Sequence, residues 1–426
     1  MAEFTAQKAI GRLAICAGNA LEFYEFLIYS TFAVYIGATF FPADLPGGTL
    51  LPSLATFGAG FITRPIGGWV IGRLSDRVGR KAGMLLSLGL MGLAMAGLAF
   101  TPGFSRIGVA APILLLLFRL IQGFALGGEV GPATAYLAES AHEGQRGRAT
   151  SLQGMTQGIG MLAAALAGFL LALAMPVGAL QAWGWRLALL PGLLVIPIAW
   201  HIRRTLPETL HDAPPIASGD KAGETRLILC AMLVIGASTV GTYLGTYATT
   251  YSLATLHMPA RISFAAGLMI GLAMLIVAPI AGRVSDRVGR KPVLLFGLIG
   301  GAVTTIPAFW MIVHYPSPVM LLAMLALVTF TSAPTASALY AAMVEGFPPH
   351  RRSTLFCCTY AGAIAVFGGT TQYAMAWLVQ RTGDPMMPAY YRTVASLIGI
   401  AAAAMIVETA PGHVRREGRI GAVLPI

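Results

Sequence analysis

Long apolar runs separated by short polar stretches constrain this chain more than any other feature of its sequence. Of its 426 residues, 56% are hydrophobic and only 11% are charged, whereas a soluble domain averages about a quarter charged residues. So few charges cannot cover the surface of a globular protein with solvated groups. A helix of about 20 apolar residues crosses the hydrocarbon core of a bilayer. The sequence therefore predicts a membrane protein built from α-helices.

The apolar runs predict twelve membrane spans, six on each side of a polar stretch at 203–225. The first run is too long for the apolar region of a cleavable signal peptide, so it is interpreted as the first span. The spans are predicted near 13–40, 52–74, 82–102, 108–139, 149–175, 185–202, 226–253, 263–283, 291–313, 318–344, 354–380 and 389–409.

The net charge of +11 follows from where the basic residues lie. If both termini are cytoplasmic, 21 of the 28 Lys and Arg residues fall on the cytoplasmic side and two, Arg64 and Arg119, fall within spans. The outer side receives Arg106, Arg186, Arg261, Arg381 and Arg392. An excess of Lys and Arg in cytoplasmic loops is typical of membrane proteins. The basic charge thus predicts cytoplasmic termini and requires no nucleic-acid partner.

A ten-residue sequence occurs once in each half of the chain. Residues 72–81 read G-R-L-S-D-R-V-G-R-K, and residues 282–291 repeat nine of those ten letters. Each copy falls between the second and third span of its half, as expected of a transporter built from internal repeats. The repeat predicts a six-helix bundle at 1–202, a cytoplasmic linker at 203–225 and a second six-helix bundle at 226–426.

The repeated sequence resembles the G-x-x-x-D-R-x-G-R-K loop motif of the major facilitator superfamily. R-L-I-Q-G at 119–123 is similar to a second motif of that superfamily. The resemblance implies an all-α membrane fold of twelve helices in two pseudo-symmetric six-helix bundles. It also implies transport by alternating access, with no enzymatic reaction, no cofactor and no metal. The four cysteines, which lie in or beside apolar runs, suggest neither a disulfide framework nor a metal site.

Four shorter motifs resemble the metabolite:proton symporter group of that superfamily. They are G-N-A-L-E-F-Y-E-F at 18–26, R-P-I-G-G at 64–68, G-G-E at 127–129 and F-G-G-T at 367–370. Within the group, the chain is most similar to the citrate and tricarballylate symporters. It departs from the group at Glu25, where the other members usually carry aspartate.

Five ionisable residues lie well within the predicted spans, all in the first half: Glu22, Glu25, Arg64, Arg119 and Glu129. A charged side chain at the centre of a span costs about 2.5–3.5 kcal/mol on insertion scales, and it usually faces a cavity or a partner. Static ion pairs between helices are one interpretation. The alternative is a transport site in which the arginines bind an anion and the three glutamates are candidates to carry a proton.

Neutral polar residues complete the candidate substrate site. Asn19, Glu22, Glu25 (or Phe26) and Tyr29 are spaced to share one helical face. The candidates for contact with the substrate, besides the two arginines, are Asn19, Gln153, Gln157, Tyr247 and Tyr360. Such groups also serve as ordinary contacts between membrane helices, so both interpretations stay open.

The repeated loops are the candidate gating elements. The residues concerned are Gly72, Asp76, Arg77, Arg80, Asp286, Arg287, Arg290 and Arg351. We expect Asp76 and Asp286 to accept hydrogen bonds from a helix N-terminus or from arginines such as Arg148 and Arg351. Such contacts would hold the cytoplasmic side closed in one conformational state.

Together the residues and the resemblance predict a monomeric proton-coupled importer of a small carboxylate in the bacterial inner membrane. Its partners are a small anion, protons and the lipid bilayer, and citrate or tricarballylate is the expected substrate. Two alternatives stay open at this point: a symporter for another metabolite, such as a dicarboxylate, shikimate, proline or betaine, and a proton-driven exporter. A transporter-like receptor is a third, less favoured because the predicted tails are short.

Overall fold

The computed structural model describes the backbone of residues 2–45, 48–77, 80–127, 134, 137–138, 141–194, 196–197, 221–347 and 352–410. These residues form α-helices with a few 3-10 and π turns, and no β-strand occurs among them. A helical path is expected, because a backbone in lipid must satisfy its hydrogen bonds within the segment itself.

Helices occur at each of the twelve predicted spans, although several spans are divided. In the first half the helices are Ala2–Thr31 with Ala33–Phe40 (span 1), Leu50–Ala59 with Arg64–Arg77 (span 2), Arg80–Phe100 (span 3), Ala110–Leu126 (span 4), Arg146–Ala174 (span 5) and a series of short turns from Val177 to Leu194 (span 6). In the second half they are Lys221–Ala254 (span 7), Ala260–Val288 (span 8), Arg290–His314 (span 9), Pro318–Ser332 with Pro334–Gly346 (span 10), Arg352–Ala363 and Gly369–Thr382 joined by the π-turn Ile364–Gly368 (span 11), and Met387–Met405 (span 12).

Length and composition identify some of these spans more strongly than others. Among the described residues, five helices are long and apolar enough to cross a membrane: Arg146–Ala174, Thr225–Ala254, Ala260–Val288, Arg290–His314 and Pro318–Gly346. The two helices of span 1 pass the same test together, although they meet at an angle of 62°. Spans 3 and 4 contribute the shorter apolar helices Leu85–Phe100 and Ala110–Leu126.

Breaks within spans are the main difference from the predicted continuous runs. Span 10 changes helix at Pro334, as its sequence suggests, because proline supplies no backbone N–H to the helix. Span 11 contains a π-turn at Ile364–Gly368, where the helix widens by one residue. Span 2 resumes at Arg64–Arg77 with Pro65 in the first turn of the helix, where proline is tolerated. Span 1 breaks near Phe32 without a proline, so local sequence did not predict that bend.

Two helix boundaries in the structure differ from the predicted ones. Helical turns of span 6 begin at Val177, eight residues before the predicted start at 185. The helix of span 7 begins at Lys221, inside the stretch predicted as a linker. The rest of that stretch lies outside the described residues.

The two halves of the chain pack closely along spans 5 and 8. A Cβ added at Gly271 would lie 2.6 Å from the backbone nitrogen of Leu162, and one added at Gly282 would lie 2.5 Å from the backbone oxygen of Gly147. No side chain fits at such positions without a shift, and small residues let membrane helices approach this closely. Span 2 also packs against span 11, and span 1 against span 7.

A side chain at Gly271 should therefore separate spans 5 and 8. We expect Gly271→Val to lower the apparent Tm, with a loss of about 1–3 kcal/mol typical of overpacking. Gly89→Val is the matched control, because Gly89 of span 3 is exposed and a Cβ there would meet nothing within 4 Å. Thermal unfolding followed by tryptophan fluorescence checks this. Equal Tm values for the two variants would contradict the close packing.

Candidate functional site

Two arginines from spans 2 and 4 form the centre of the candidate site, and we refer to Arg64 and Arg119 as the arginine pair. Arg119 is 1% exposed and Arg64 is 8% exposed. The guanidinium of Arg119 donates from Nη1 to the side-chain oxygen of Gln122 and from Nη2 to the backbone oxygen of Phe57, at 3.3 Å for the latter. Since arginine stays protonated in proteins, the site holds two buried positive charges.

Four aromatic rings, which we call the aromatic cage, lie against the arginine pair: Phe26, Tyr29, Phe57 and Phe61. The Cζ of Arg119 lies 4.5 Å from the ring centre of Tyr29. The Cζ of Arg64 lies 4.5 Å from the ring centre of Phe26 and 4.4 Å from that of Phe61. The Cζ of Arg119 lies 5.1 Å from the ring centre of Phe26 and 4.9 Å from that of Phe57. Such cation–π contacts are worth about 2 kcal/mol or more when desolvated. The cage thus offsets part of the cost of burying the two charges.

The aromatic cage also contacts the second half of the molecule. Tyr243 belongs to span 7, and its ring centre lies 5.5 Å from that of Phe61 and 6.0 Å from that of Phe57. In the same half, Tyr340 and Tyr360 pack ring to ring at 6.0 Å. Substrate between the halves would therefore meet arginines on one side and tyrosine hydroxyls on the other.

A polar network from spans 1 and 5 lies at the predicted cytoplasmic side of this centre. Asn19 donates to the hydroxyl of Thr156 and accepts a hydrogen bond of 2.9 Å from Nε2 of Gln153. Gln157, one turn further along span 5, is buried, and its Nε2 has no hydrogen-bond partner among the described residues. The network thus brings Asn19 and Gln153 together.

The two glutamates of span 1 are both buried, with 8% exposure for Glu22 and 1% for Glu25. Glu25 faces span 6, since its Cγ lies 3.0 Å from where a Cβ on Gly192 would be. The ring of Phe26, the next residue, contacts both arginines of the pair. The helical face that begins with Asn19 and Glu22 therefore continues through Phe26.

At the predicted outer side, span 1 is tied to the second half by hydrogen bonds. Gln372 of span 11 donates from Nε2 to the hydroxyls of Ser30 and Thr246, at 2.7 and 2.5 Å. Thr250 of span 7 donates to the backbone oxygen of Ser30 at 3.4 Å. These contacts join the two halves at that side of the candidate site.

At the opposite end, Asp286 of the second repeated loop joins span 8 to span 5. Its two carboxylate oxygens accept hydrogen bonds from the backbone N–H groups of Gly147 and Arg148, at 2.8 and 2.9 Å. Those groups lie in the first turn of the span 5 helix, where the helix dipole favours a negative charge. Arg290 bridges Asp286 to Glu345, at 2.7 and 2.8 Å.

Several predicted site residues are elsewhere or cannot be described. Tyr247 packs against Tyr251, with ring centres 6.1 Å apart, inside the second half, and Tyr243 instead contacts the aromatic cage. Arg287 is exposed. Glu129 and Arg351 lie outside the described residues, as do the side chains of Asp76, Arg77 and Arg80. Only the backbone of Gly72 is described, within the helix Arg64–Arg77.

One residue was assigned to the wrong environment from sequence. Arg392, predicted to lie on the outer side, is 2% exposed and contacts the middle of the second half. The prediction that ionisable residues within spans all belong to the first half is therefore wrong. The sequence offered one indication of this burial: Arg392 lies inside an apolar run and has no Asp or Glu within one helical turn.

Comparison with known proteins identifies relatives over nearly the whole chain. A family model described as Major Facilitator Superfamily matches residues 23–359. A citrate-proton symporter of Salmonella typhi is 34% identical over 416 residues, which cover 96% of this chain and 96% of that protein. An alpha-ketoglutarate permease of Escherichia coli (strain K12) is 33% identical over 401 residues, covering 92% of this chain and 91% of the permease.

A solved structure shares the fold. The xylose transporter XylE from E. coli, in a partially occluded inward open conformation, superposes with a TM-score of 0.74 at 17% identity. The match covers 93% of this chain and 97% of that chain. At this level of identity, the similarity extends to the arrangement of the helices and not to the residues of the site.

The contacts of Asp286 generate a prediction about the distance between spans 5 and 8. Spin labels at Gly144 and Val288 should give a narrow distance distribution in a cysteine-free background, because Asp286 holds the two ends together. We expect Asp286→Asn to broaden the distribution toward longer distances, since an amide cannot accept from two N–H groups with both of its terminal atoms. Double electron–electron resonance measures this.

Arg283→Gln is the matched control, because Arg283 is an exposed residue one turn before Asp286. Its distribution should equal that of the parent. A distribution unchanged by Asp286→Asn would show that these hydrogen bonds do not hold the ends together.

Proposed function

The chain belongs to the Major Facilitator Superfamily, and on that premise we propose that it imports a small carboxylate together with protons. As a member of this family it is a multi-pass membrane transport protein and not an enzyme. Citrate or tricarballylate is the proposed substrate. The observation that carries the proposal is the buried arginine pair facing the tyrosines of the second half.

The chemistry of the arginine pair favours a carboxylate. A guanidinium presents a planar fork of N–H donors that matches a carboxylate in two parallel hydrogen bonds. The Nε atoms of Arg64 and Arg119 are buried, with no hydrogen-bond partner among the described residues. Both guanidiniums thus keep donors for an incoming anion, while the ring faces that cover them can move aside. Two such groups suit a substrate with more than one carboxylate.

The charges in the spans favour coupling to protons. In the first half, the arginine pair is outnumbered by Glu22, Glu25 and Glu129, so a polyanion entering that half would meet a net negative charge. Protons entering with the substrate would remove the repulsion. A buried carboxylate can take up such a proton, since burial disfavours its charged form.

Glu22 is the proposed proton carrier. It shares a helical face with Asn19 and Phe26, and that face is turned toward the site. Glu25 is less suited, because its side chain packs against Gly192 of span 6. In this proposal, proton uptake by Glu22 and anion binding by the arginine pair stabilise one another.

We propose transport by alternating access, and contacts between the halves at both ends of the site support it. Ser30, Gln372 and Thr246 close one side, and Asp286 with the first turn of span 5 closes the other. We propose that these two sets open in turn. Sites between two halves that rock against each other are typical of transporters, and the substrate favours one state by binding it more tightly.

The remaining elements of the proposal concern location and assembly. We propose that the protein lies in the bacterial inner membrane with both termini cytoplasmic, because Lys and Arg residues concentrate on that side. We propose that it acts as a monomer of two six-helix bundles, 1–202 and 226–426, with 203–225 linking them.

Uptake by purified protein in proteoliposomes tests the function. An inward proton gradient should drive accumulation of labelled citrate or tricarballylate, and unlabelled tricarboxylate should compete. A zwitterion such as betaine is the second candidate, because the aromatic cage could bind a quaternary ammonium while an arginine binds its carboxylate. Gradient-driven betaine uptake that citrate does not inhibit would overturn the carboxylate proposal.

Arg119→Lys tests the substrate contact. We expect the KM for the carboxylate to rise at least tenfold, because a point charge cannot reproduce the fork of donors. Arg106→Lys is the control, since Arg106 is exposed at the end of a short loop helix. Initial rates over a range of substrate concentrations measure the effect. An unchanged KM in Arg119→Lys would remove Arg119 from the substrate site.

Glu22→Gln tests the coupling. We expect gradient-driven accumulation to be lost while exchange of internal for external substrate persists, because exchange needs no net proton movement. Glu25→Gln, three residues away and also buried, should retain accumulation. Accumulation that survives in Glu22→Gln would assign the proton to another group, with Glu25 and Glu129 as the remaining candidates.

A further inference from the structure

A third buried arginine lies inside the second half, apart from the arginine pair. Arg392 of span 12 is 2% exposed, and its Nη1 donates to the hydroxyl of Thr305 in span 9. Two glycines make room for it. A Cβ on Gly241 would lie 3.3 Å from its Nε, and a Cβ on Gly301 would lie 2.8 Å from its Nη2. The guanidinium is therefore inserted between spans 7, 9 and 12.

The charge of Arg392 has no counterpart among the described residues. Its Nε is buried without a hydrogen-bond partner among them, and the acidic groups Asp286 and Glu345 of the second half pair with Arg290 instead. Arginine cannot lose its proton to escape the cost of burial. Charged residues within spans generally pair with one another, with backbone carbonyls or with a cavity that holds water or ions.

Arg392 lines a cavity between spans 7, 8, 9, 10 and 12, which we call the Arg392 cavity. Hydroxyl groups from three of these spans line it with the guanidinium: Ser238, Thr242, Thr329, Ser332, Thr335 and Ser396. Its remaining wall is apolar or glycine, including Leu244, Ile270 and Leu298. No Asp or Glu belongs to this lining.

Three of these six hydroxyls already donate a hydrogen bond within the protein. Thr242, Thr329 and Ser332 donate to backbone oxygens of their own helices, at 3.1, 2.8 and 2.7 Å. The hydroxyls of Ser238, Thr335 and Ser396 make no such bond among the hydrogen bonds described, so they are available as donors. One guanidinium and three hydroxyl donors around a cavity without acids form a site for negative charge.

We propose that Arg392 and these hydroxyls bind one small monovalent anion, either a halide such as chloride or the carboxylate of a short acid. One positive charge calls for one negative charge, and only a small ion fits between helices that approach at Gly241 and Gly301. The site is distinct from the arginine pair, because all of its lining belongs to the second half. The anion neutralises Arg392 and stabilises the packing of spans 7, 9 and 12.

The apparent Tm of the full-length protein in detergent, followed by tryptophan fluorescence, tests this site. Sodium chloride and sodium acetate are titrated against sodium HEPES at constant ionic strength, since the HEPES anion is too large for the cavity. An anion that binds only the folded protein raises its stability as binding saturates. We expect a saturating rise of ~2–5 °C with chloride or acetate and none with HEPES. The ion that raises the Tm at the lower concentration shows whether the site prefers a halide or a carboxylate.

Variants test whether the rise in Tm depends on the Arg392 cavity. Arg392→Gln should abolish it, whereas Arg261→Gln should retain it, because Arg261 is an exposed residue at the end of span 8. Ser396→Ala removes one donor and keeps the charge, so it should raise the half-maximal anion concentration by about tenfold. That variant keeps the test decisive if Arg392→Gln does not fold.

Two results would overturn the site. One is the absence of any anion-specific rise in the parent protein, and the other is a half-maximal concentration left unchanged by both Arg392→Gln and Ser396→Ala. A parallel citrate titration of Arg392→Gln reports on the arginine pair alone. If citrate does not raise the Tm of Arg392→Gln, while chloride or acetate still raises the Tm of the parent, the result counts against the proposed substrate and not against the Arg392 cavity.

Discussion

The cost of keeping guanidinium groups charged in a membrane interior is the constraint on which the rest of this structure depends. Arginine stays protonated even when buried, so each buried arginine needs aromatic faces, oxygen acceptors or an anion. The first half meets this need for Arg64 and Arg119 with the aromatic cage and with Gln122. These contacts leave donor atoms unused, so the pair is held in position and can still bind an anion. The same constraint makes Arg392 informative, because the second half offers it a cavity lined by hydroxyls and no acid among the described residues.

Contacts between the halves determine how such a site can reach either side of the membrane. Spans 5 and 8 approach through glycines, so their backbones pack almost without side chains between them. Small-residue contacts of this kind suit two surfaces that must slide or rock while staying together. Hydrogen bonds at each end, from Gln372 to Ser30 and from the first turn of span 5 to Asp286, are few and polar. A small number of such bonds can be exchanged for water as each side opens, and the apolar contacts near the middle persist.

The sequence predicts the helices of the twelve spans well, because apolar length is a local property of the chain. Asn19 and Gln153, both named as candidates from sequence, are hydrogen-bonded to each other. Helical periodicity could not decide between Glu25 and Phe26, which are adjacent on the helix; the rotation of span 1 against spans 2 and 4 decides it. Tyr243 and Tyr247 are one turn apart on span 7, so helical periodicity places both on nearly the same helix face. Which of the two lies near the arginine pair depends on the position of Arg64 along its own helix, and that tertiary arrangement favours Tyr243. Arg392 was misassigned because its environment depends on Gly241 and Gly301, which are distant in sequence.

The central claim is that the arginine pair is the anion-binding centre of the protein. A cryo-EM structure of the protein with saturating citrate at the pH of uptake tests it most directly. The account predicts ligand density in contact with the guanidiniums of both Arg64 and Arg119, reaching the hydroxyl of Tyr243, with at least one ring of the aromatic cage displaced. Citrate density elsewhere, with both guanidiniums still covered by Phe26, Phe57 and Phe61, would contradict it.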